Sequence, residues 1–95
     1  MVRNLIKLIE AIKTQIPKDF ENKEELFYHL DDRADSVLYT PTEAMGLRFT
    51  EVALILQKYL GAPDTEWKKT ICDIFSDKID YKIFLIGDPD NPLIC

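Results

Sequence analysis

Residues 2–17 read VRNLIKLIEAIKTQIP, and this stretch predicts the first helix of the chain. Apolar side chains recur three or four positions apart along it, and charged side chains occupy positions between them. On an α-helix that spacing places the two kinds of residue on opposite faces. Pro17 lacks the amide hydrogen that would continue the helix, so we expect the helix to end just before it. The apolar face then needs other helices to cover it.

A second helix is predicted from the capping-box pattern Asn-Lys-Glu-Glu at residues 22–25. In this pattern the Asn22 side chain accepts a hydrogen bond from an unpaired amide and Glu25 reaches back to the cap. The apolar face of this helix is formed by Leu26, Phe27 and Leu30. Residues 36–39 favour an extended connector after it.

A third helix is predicted to follow the pattern Thr-Pro-Thr-Glu at residues 40–43, with Thr40 as its N-cap, and to stop at Gly61. It is apolar on more than one side, which is typical of the central helix of a core. Within it, Gly46 either costs about 1 kcal/mol relative to alanine or marks a kink, with Thr50 restarting the helix. A fourth helix is predicted with Asp64 as its N-cap.

The character of residues 79–86 is ambiguous. Ile79, Tyr81, Ile83 and Leu85 alternate as in a strand, and the same stretch also continues the apolar stripe of the fourth helix. Gly87 followed by Pro89 forms a helix-stop signal, which supports the helix. A fifth helix and a short strand both stay open for 79–86, and we favour the helix.

Together these patterns predict a mainly α fold: a compact single-domain bundle of four to five helices spanning residues 1–95, with 79–86 as the one candidate strand. A chain of 95 residues leaves room for one domain. We expect one core that contains Leu5, Ile9, Ile12, Leu26, Leu30, Phe49, Val52, Leu56, Trp67, Ile71 and Phe75.

Charge is distributed unevenly along this acidic chain, whose net charge is −5 and whose pI is about 4.7. Residues 1–18 are basic, whereas residues 19–35 hold seven acids against two bases, so the first helix can lie against the second. Proteins that bind nucleic acid directly have a basic surface, so we expect this acidic chain not to bind nucleic acid directly. No apolar run approaches the roughly 20 residues that span a bilayer, and we expect no membrane association.

The two cysteines, Cys72 and Cys95, show neither redox nor zinc-binding spacing. Cys72 lies in an apolar helical stretch, where a free cysteine behaves as a small apolar residue. The first residues carry charges throughout and do not form a secretory signal. From these observations we expect a cytoplasmic protein in a reducing compartment.

His29 is the single histidine, and Asp32 lies one helical turn away from it. Such a pair can orient a general base, but no serine or cysteine nucleophile is placed beside it. One histidine also cannot build a multi-histidine zinc site, and consecutive acids on a helix point apart. We therefore predict no enzymatic activity, no cofactor and no bound metal.

The prediction that remains is protein binding through acidic residues of the second helix. A cluster of carboxylates complementary to a basic site speeds association with a partner, and an exposed aromatic ring can anchor it. The candidate partner-binding residues are Glu24, Glu25, Tyr28, Asp31, Asp32 and Asp35. We expect a small acidic intracellular module that docks a basic protein, as inhibitors, antitoxins and immunity proteins do. The alternative is an oligomeric structural subunit without catalytic activity, and a homo-oligomer is open under either reading.

Overall fold

The computed structural model describes residues 2–78, with side chains from Leu5 to Phe75. Over this range the chain forms four α-helices and no strand: α1 (Val2–Gln15), α2 (Lys23–Ser36), α3 (Met45–Leu60) and α4 (Glu66–Lys78). Two short 3₁₀ turns, Val37–Tyr39 and Thr42–Ala44, connect α2 to α3. The prediction of a small helical bundle is confirmed. Residues 79–86 lie outside the described residues, so the choice between helix and strand there stays a prediction, as does the single domain over 1–95.

The helices pack in the order α4, α1, α2, α3, with α1 in contact with both α4 and α2, and α3 mainly against α2. Val37, at the end of α2, adds its side chain to the same core. Ten of the eleven predicted core residues are buried, and the eleventh, Trp67, packs against the core while staying partly exposed. One apolar interior therefore joins all four helices.

The prediction that α3 is the central helix is wrong. Its additional apolar side consists of Leu47 and Leu54, which are 65% and 46% exposed. Its buried side, which includes Phe49, Val52 and Leu56, faces the core in the ordinary way. Periodicity shows that a helix has two apolar sides, but it does not show whether another helix covers both.

The predicted ends of α1 and α3 are confirmed. α1 ends at Gln15, two residues before Pro17, as expected from the missing amide hydrogen of proline. α3 ends at Leu60, where the Gly61 amide donates to the Gln57 carbonyl at 3.0 Å. Gly61 has a φ of 68°, a left-handed conformation that glycine adopts without steric cost.

The predicted helix starts need correction. Asn22 is the N-cap of α2, but its side chain makes no capping hydrogen bond. Thr65, and not Asp64, precedes α4, and its hydroxyl accepts a 3.4 Å hydrogen bond from the Lys68 amide. Asp64 instead forms an ion pair with the Lys68 side chain at 3.0 Å. The Asp64 carboxylate therefore contributes through charge and not as a cap.

The largest correction concerns residues 36–45. No extended connector follows α2, because the chain turns directly into a 3₁₀ turn that buries Val37. Thr40 does not cap α3, which begins at Met45 after Pro41 and the second 3₁₀ turn. Gly46 therefore lies in the first turn of α3 and not in its interior, and α3 runs from Met45 to Leu60 as one helix, without restarting at Thr50.

Candidate functional site

All six candidate partner-binding residues are exposed and lie on one side of α2, which we call the acidic face. Four of them follow the spacing of three or four residues that aligns side chains along a helix, and the other two lie seven residues apart beside them. Leu26 and Leu30, on the opposite side of α2, are fully buried. This anchoring turns the acidic face toward solvent. The face consists of Glu24, Glu25, Tyr28, Asp31, Asp32 and Asp35.

Only the first two acids of the acidic face are placed where they stabilise α2. Glu24 and Glu25 lie in its first turn, where negative charge interacts favourably with the helix dipole. Asp31, Asp32 and Asp35 lie in its second half, and Asp35 lies in the last turn, where the same dipole disfavours negative charge. The Asp31–Asp35 and Asp32–Asp35 spacings also bring like charges together, at a cost of roughly 0.2–0.5 kcal/mol per pair. The second half of the acidic face therefore weakens the helix that carries it.

Two of the five carboxylates are already paired within the molecule. Asp31 accepts a hydrogen bond from Lys13 of α1 at 2.6 Å, which confirms that the basic first helix lies against the acidic second one. Asp32 lies 3.6 Å from the guanidinium of Arg33. Within the described part of the chain, Glu24, Glu25 and Asp35 form no ion pair. These three carboxylates, at the two ends of the face, are available to a partner.

Tyr28 supplies the aromatic surface of the acidic face. Its side chain is 69% exposed, and its ring meets the His29 ring edge-on with 5.5 Å between centroids. It lies between the carboxylates of Glu24 and Asp31 along the helix. An exposed ring surrounded by charge can be buried by a partner, as aromatic anchors at interfaces are.

An open concavity of about 800 Å³ adjoins the first two turns of α2. Lys18 and Lys23 contribute the positive charges of its lining, and the Phe27 and Tyr28 rings contribute apolar surface. The four carboxylates that line it outnumber the two lysines, so the concavity is negative on balance. The acidic face therefore borders a depression into which a partner side chain can reach. The lining carboxylates are Glu21, Glu24, Glu25 and Asp31.

The structure does not assemble the histidine–carboxylate pair. His29 contacts two aromatic rings, Tyr28 and Tyr59, the latter with 5.7 Å between centroids. Asp32 is directed to Arg33 instead. Among the described residues no group of three histidine, cysteine or acidic side chains is arranged to hold a metal ion.

Cys72 is buried as predicted, but the prediction of a free thiol is wrong, because Cys72 is disulfide-bonded. Disulfide bonds persist mainly in oxidising environments, so the cysteines no longer support the expectation of a reducing compartment. Cys95 lies outside the described residues. No helix in the described range is both long and apolar enough to cross a membrane.

Sequence reasoning missed a polar cluster between α2 and α3. Glu51 accepts a hydrogen bond from Arg48 and lies 2.9 Å from a guanidinium nitrogen of Arg33. The second contact is an ion pair without hydrogen-bond alignment, because the Glu51 Oε2 atom has no hydrogen-bond partner. Arg48 also donates to the Thr40 hydroxyl at 3.0 Å. Spacing indicates only the Arg48–Glu51 pair, one turn apart, since the other contacts join distant parts of the chain.

In comparisons with known proteins, no family model matches this chain, and neither a curated protein nor a solved structure matches it.

Proposed function

We propose that this protein is a binding module without catalytic activity, which docks a basic surface of a partner protein through the acidic face of α2. The mode of action is that of inhibitors, antitoxins and immunity proteins, which cover a partner's basic site by contact. The observation that carries this proposal is the placement of unpaired carboxylates around an exposed tyrosine on a single helix face.

The energetics of α2 support a role in binding. Asp35 lies in the last turn, where the helix dipole and repulsion from Asp31 and Asp32 disfavour it, so the stability of the helix does not account for Asp35. A basic partner would relieve that repulsion on docking. Glu24, Glu25 and Asp35 would supply most of the attraction, because Asp31 and Asp32 already have intramolecular partners.

Each part of the face then has a distinct role. Long-range attraction from the carboxylates increases the rate of encounter with a basic partner and weakens as salt is added. Burial of the Tyr28 ring slows dissociation, since a well-packed aromatic anchor contributes mainly to the lifetime of a complex. The negative concavity accepts a lysine or arginine side chain of the partner.

The test is affinity capture from the native host with the full chain as bait, followed by quantitative mass spectrometry. The binding variant combines Glu24→Gln, Glu25→Gln and Asp35→Asn. The matched control combines Glu10→Gln, Glu66→Gln and Asp73→Asn, which removes the same three charges from exposed positions on α1 and α4. Both variants change the net charge equally and differ only in location.

We expect the parent and the control to capture one stoichiometric basic protein, and the binding variant to lose about tenfold or more in affinity for it. With purified components, the affinity of the parent falls as salt is added, and Tyr28→Ala accelerates dissociation. Equal retention by the parent and the binding variant would contradict the proposal. An equal loss of affinity in the binding variant and the control would also contradict it, because binding would then depend on the net charge of the protein and not on the acidic face.

A further inference from the structure

The exposed apolar surface of the described chain is concentrated around α3. Of the five large apolar side chains that are exposed, Leu47 and Leu54 lie on α3 and Leu38 and Tyr39 on the connector before it. The fifth belongs to the acidic face. Leu47 and Leu54 are seven residues apart, so they lie on the same side of the helix, opposite its buried side. The hydrogen bond from Arg48 to Thr40 holds the connector against α3.

We propose that this outer side of α3 is a homodimer interface, in which α3 packs antiparallel against α3 of a second copy of the chain. The proposal does not depend on the acidic face, since it involves a different helix and a different kind of contact. The two surfaces have no residue in common.

The arrangement of side chains along α3 is self-complementary. In an antiparallel pair whose two-fold axis passes between Thr50 and Glu51, Leu47 of each copy lies level with Leu54 of the other, because the two leucines are equidistant from the axis. Glu43 lies in the 3₁₀ turn just before α3, Lys58 lies in the last turn of α3, and both are exposed. Antiparallel pairing therefore brings the end of each copy that carries the carboxylate toward the end of the other that carries the ammonium group, beyond the leucines. An isologous interface requires this self-complementarity.

Local charge also favours a second copy over a basic partner at this surface. Residues 36–61 hold two acids and two bases, so the segment is neutral although the whole chain carries −5. Two such segments meet without net repulsion, whereas a basic protein gains nothing there. The apolar pair of leucines is what remains to drive contact.

The dimer is expected to be weak. α3 has 16 residues and is therefore about 24 Å long, and a single helix pair with the connector beside it falls at the small end of specific interfaces. We expect a dissociation constant on the order of 10–100 µM.

The test is sedimentation equilibrium of the full chain at concentrations from about 5 to about 500 µM. The expected mass rises from 11.1 kDa toward twice that value with increasing concentration. Leu47→Gln and Leu54→Gln, both at exposed positions, should each weaken the dimer about tenfold or more while far-UV circular dichroism stays unchanged.

Charge exchange tests the antiparallel register. Glu43→Lys and Lys58→Glu each turn two attractive pairs into repulsive ones, and each should weaken the dimer about tenfold. An equimolar mixture of the two variants should restore it, as should the double variant, because opposite charges again face each other. The matched controls, Glu10→Lys and Lys69→Glu, make the same charge changes at exposed positions of α1 and α4 and should leave the dimer unchanged.

Three outcomes would overturn the proposal. A constant monomer mass over the whole range would show that no second copy binds. A dimer that survives both leucine substitutions would use another surface. Single charge variants that dimerise like the parent would exclude the antiparallel pairing of Glu43 with Lys58, since in a parallel pair like charges already face each other.

Discussion

Thr40 stabilises the connector between α2 and α3 and does not cap a helix. Its hydroxyl donates to the Ser36 carbonyl at 2.7 Å and accepts from the Arg48 side chain at 3.0 Å. Its amide donates to the Val37 carbonyl, so it is not available to Glu43 in a capping box. The Thr-Pro-Thr-Glu pattern is therefore not the start of an α-helix in this protein, because Thr42–Ala44 form a 3₁₀ turn before α3 begins.

Substitutions at Thr40 should distinguish the observed role from capping. Thr40→Val removes both hydroxyl hydrogen bonds while keeping the shape, and should lower the free energy of unfolding by about 1–2 kcal/mol. Thr40→Ser should be nearly neutral. Thr40→Asp, an excellent cap, should nevertheless be destabilising, because a carboxylate cannot donate to the Ser36 carbonyl. Urea unfolding measures all three, with the exposed Thr42→Val as the control. A neutral Thr40→Asp would restore the capping interpretation.

Trp67 is half-buried at the edge of the core. Its ring meets the Phe20 ring edge-on with 5.6 Å between centroids, and the Lys68 ammonium lies 5.6 Å from the centroid of the Trp67 ring. Trp67→Ala should therefore cost about 1–3 kcal/mol, less than the 3–5 kcal/mol typical of a fully buried aromatic ring. Phe75→Ala, at a fully buried position of the same helix, provides that comparison. Equal losses for the two variants in urea unfolding would show that Trp67 is completely enclosed.

At the scale of elements, α2 and α3 are joined by a charge cluster as well as by apolar packing. Glu51 lies between the guanidinium groups of Arg33 and Arg48, and its side chain is about two-thirds buried. Without the carboxylate, two like charges on side chains that are only 30% exposed would remain at the helix interface. The single acid therefore compensates two bases that belong to different helices.

Glu51→Gln should destabilise the protein by about 1–3 kcal/mol, since it removes the charge and keeps the shape. The control is Glu10→Gln on the exposed side of α1, which should change stability by no more than about 0.5 kcal/mol. Thermal unfolding at low and high salt measures both variants. If Glu51→Gln behaved like the control, the cluster would have no net effect on stability.

At the scale of the whole molecule, a single core predicts cooperative unfolding. α4 contacts α1, α1 contacts α2, and α2 contacts α3, all through buried side chains of one cluster. A domain of this size with one core usually unfolds in a single step.

The fluorescence of Trp67, the single tryptophan, reports on α4, whereas far-UV circular dichroism reports on all helices. We expect the two signals to give the same urea midpoint. Two separate midpoints would show that α4 unfolds independently of the other helices, and the prediction of a single domain would then fail.

The sequence alone determined the four helical segments of the described chain and the buried sides of α1 and α2. The repeat of apolar residues along α1 and α2 depends only on the period of the helix, so Leu26 and Leu30 could be assigned to the core and the acids opposite them to solvent. The composition of the acidic face was predictable for the same reason, since every member lies on one helix.

Only the tertiary structure decided which helices are in contact and which charged side chains form ion pairs with one another. That Lys13 neutralises Asp31, that Glu51 bridges two arginines and that Leu47 stays uncovered all depend on contacts between residues far apart in the chain. The start of α3 was also decided there, because burial of Val37 and the hydrogen bonds of Thr40 favour a 3₁₀ turn over an earlier helix. The helical period is a local property, but the surface that covers each side is set by packing across the whole molecule.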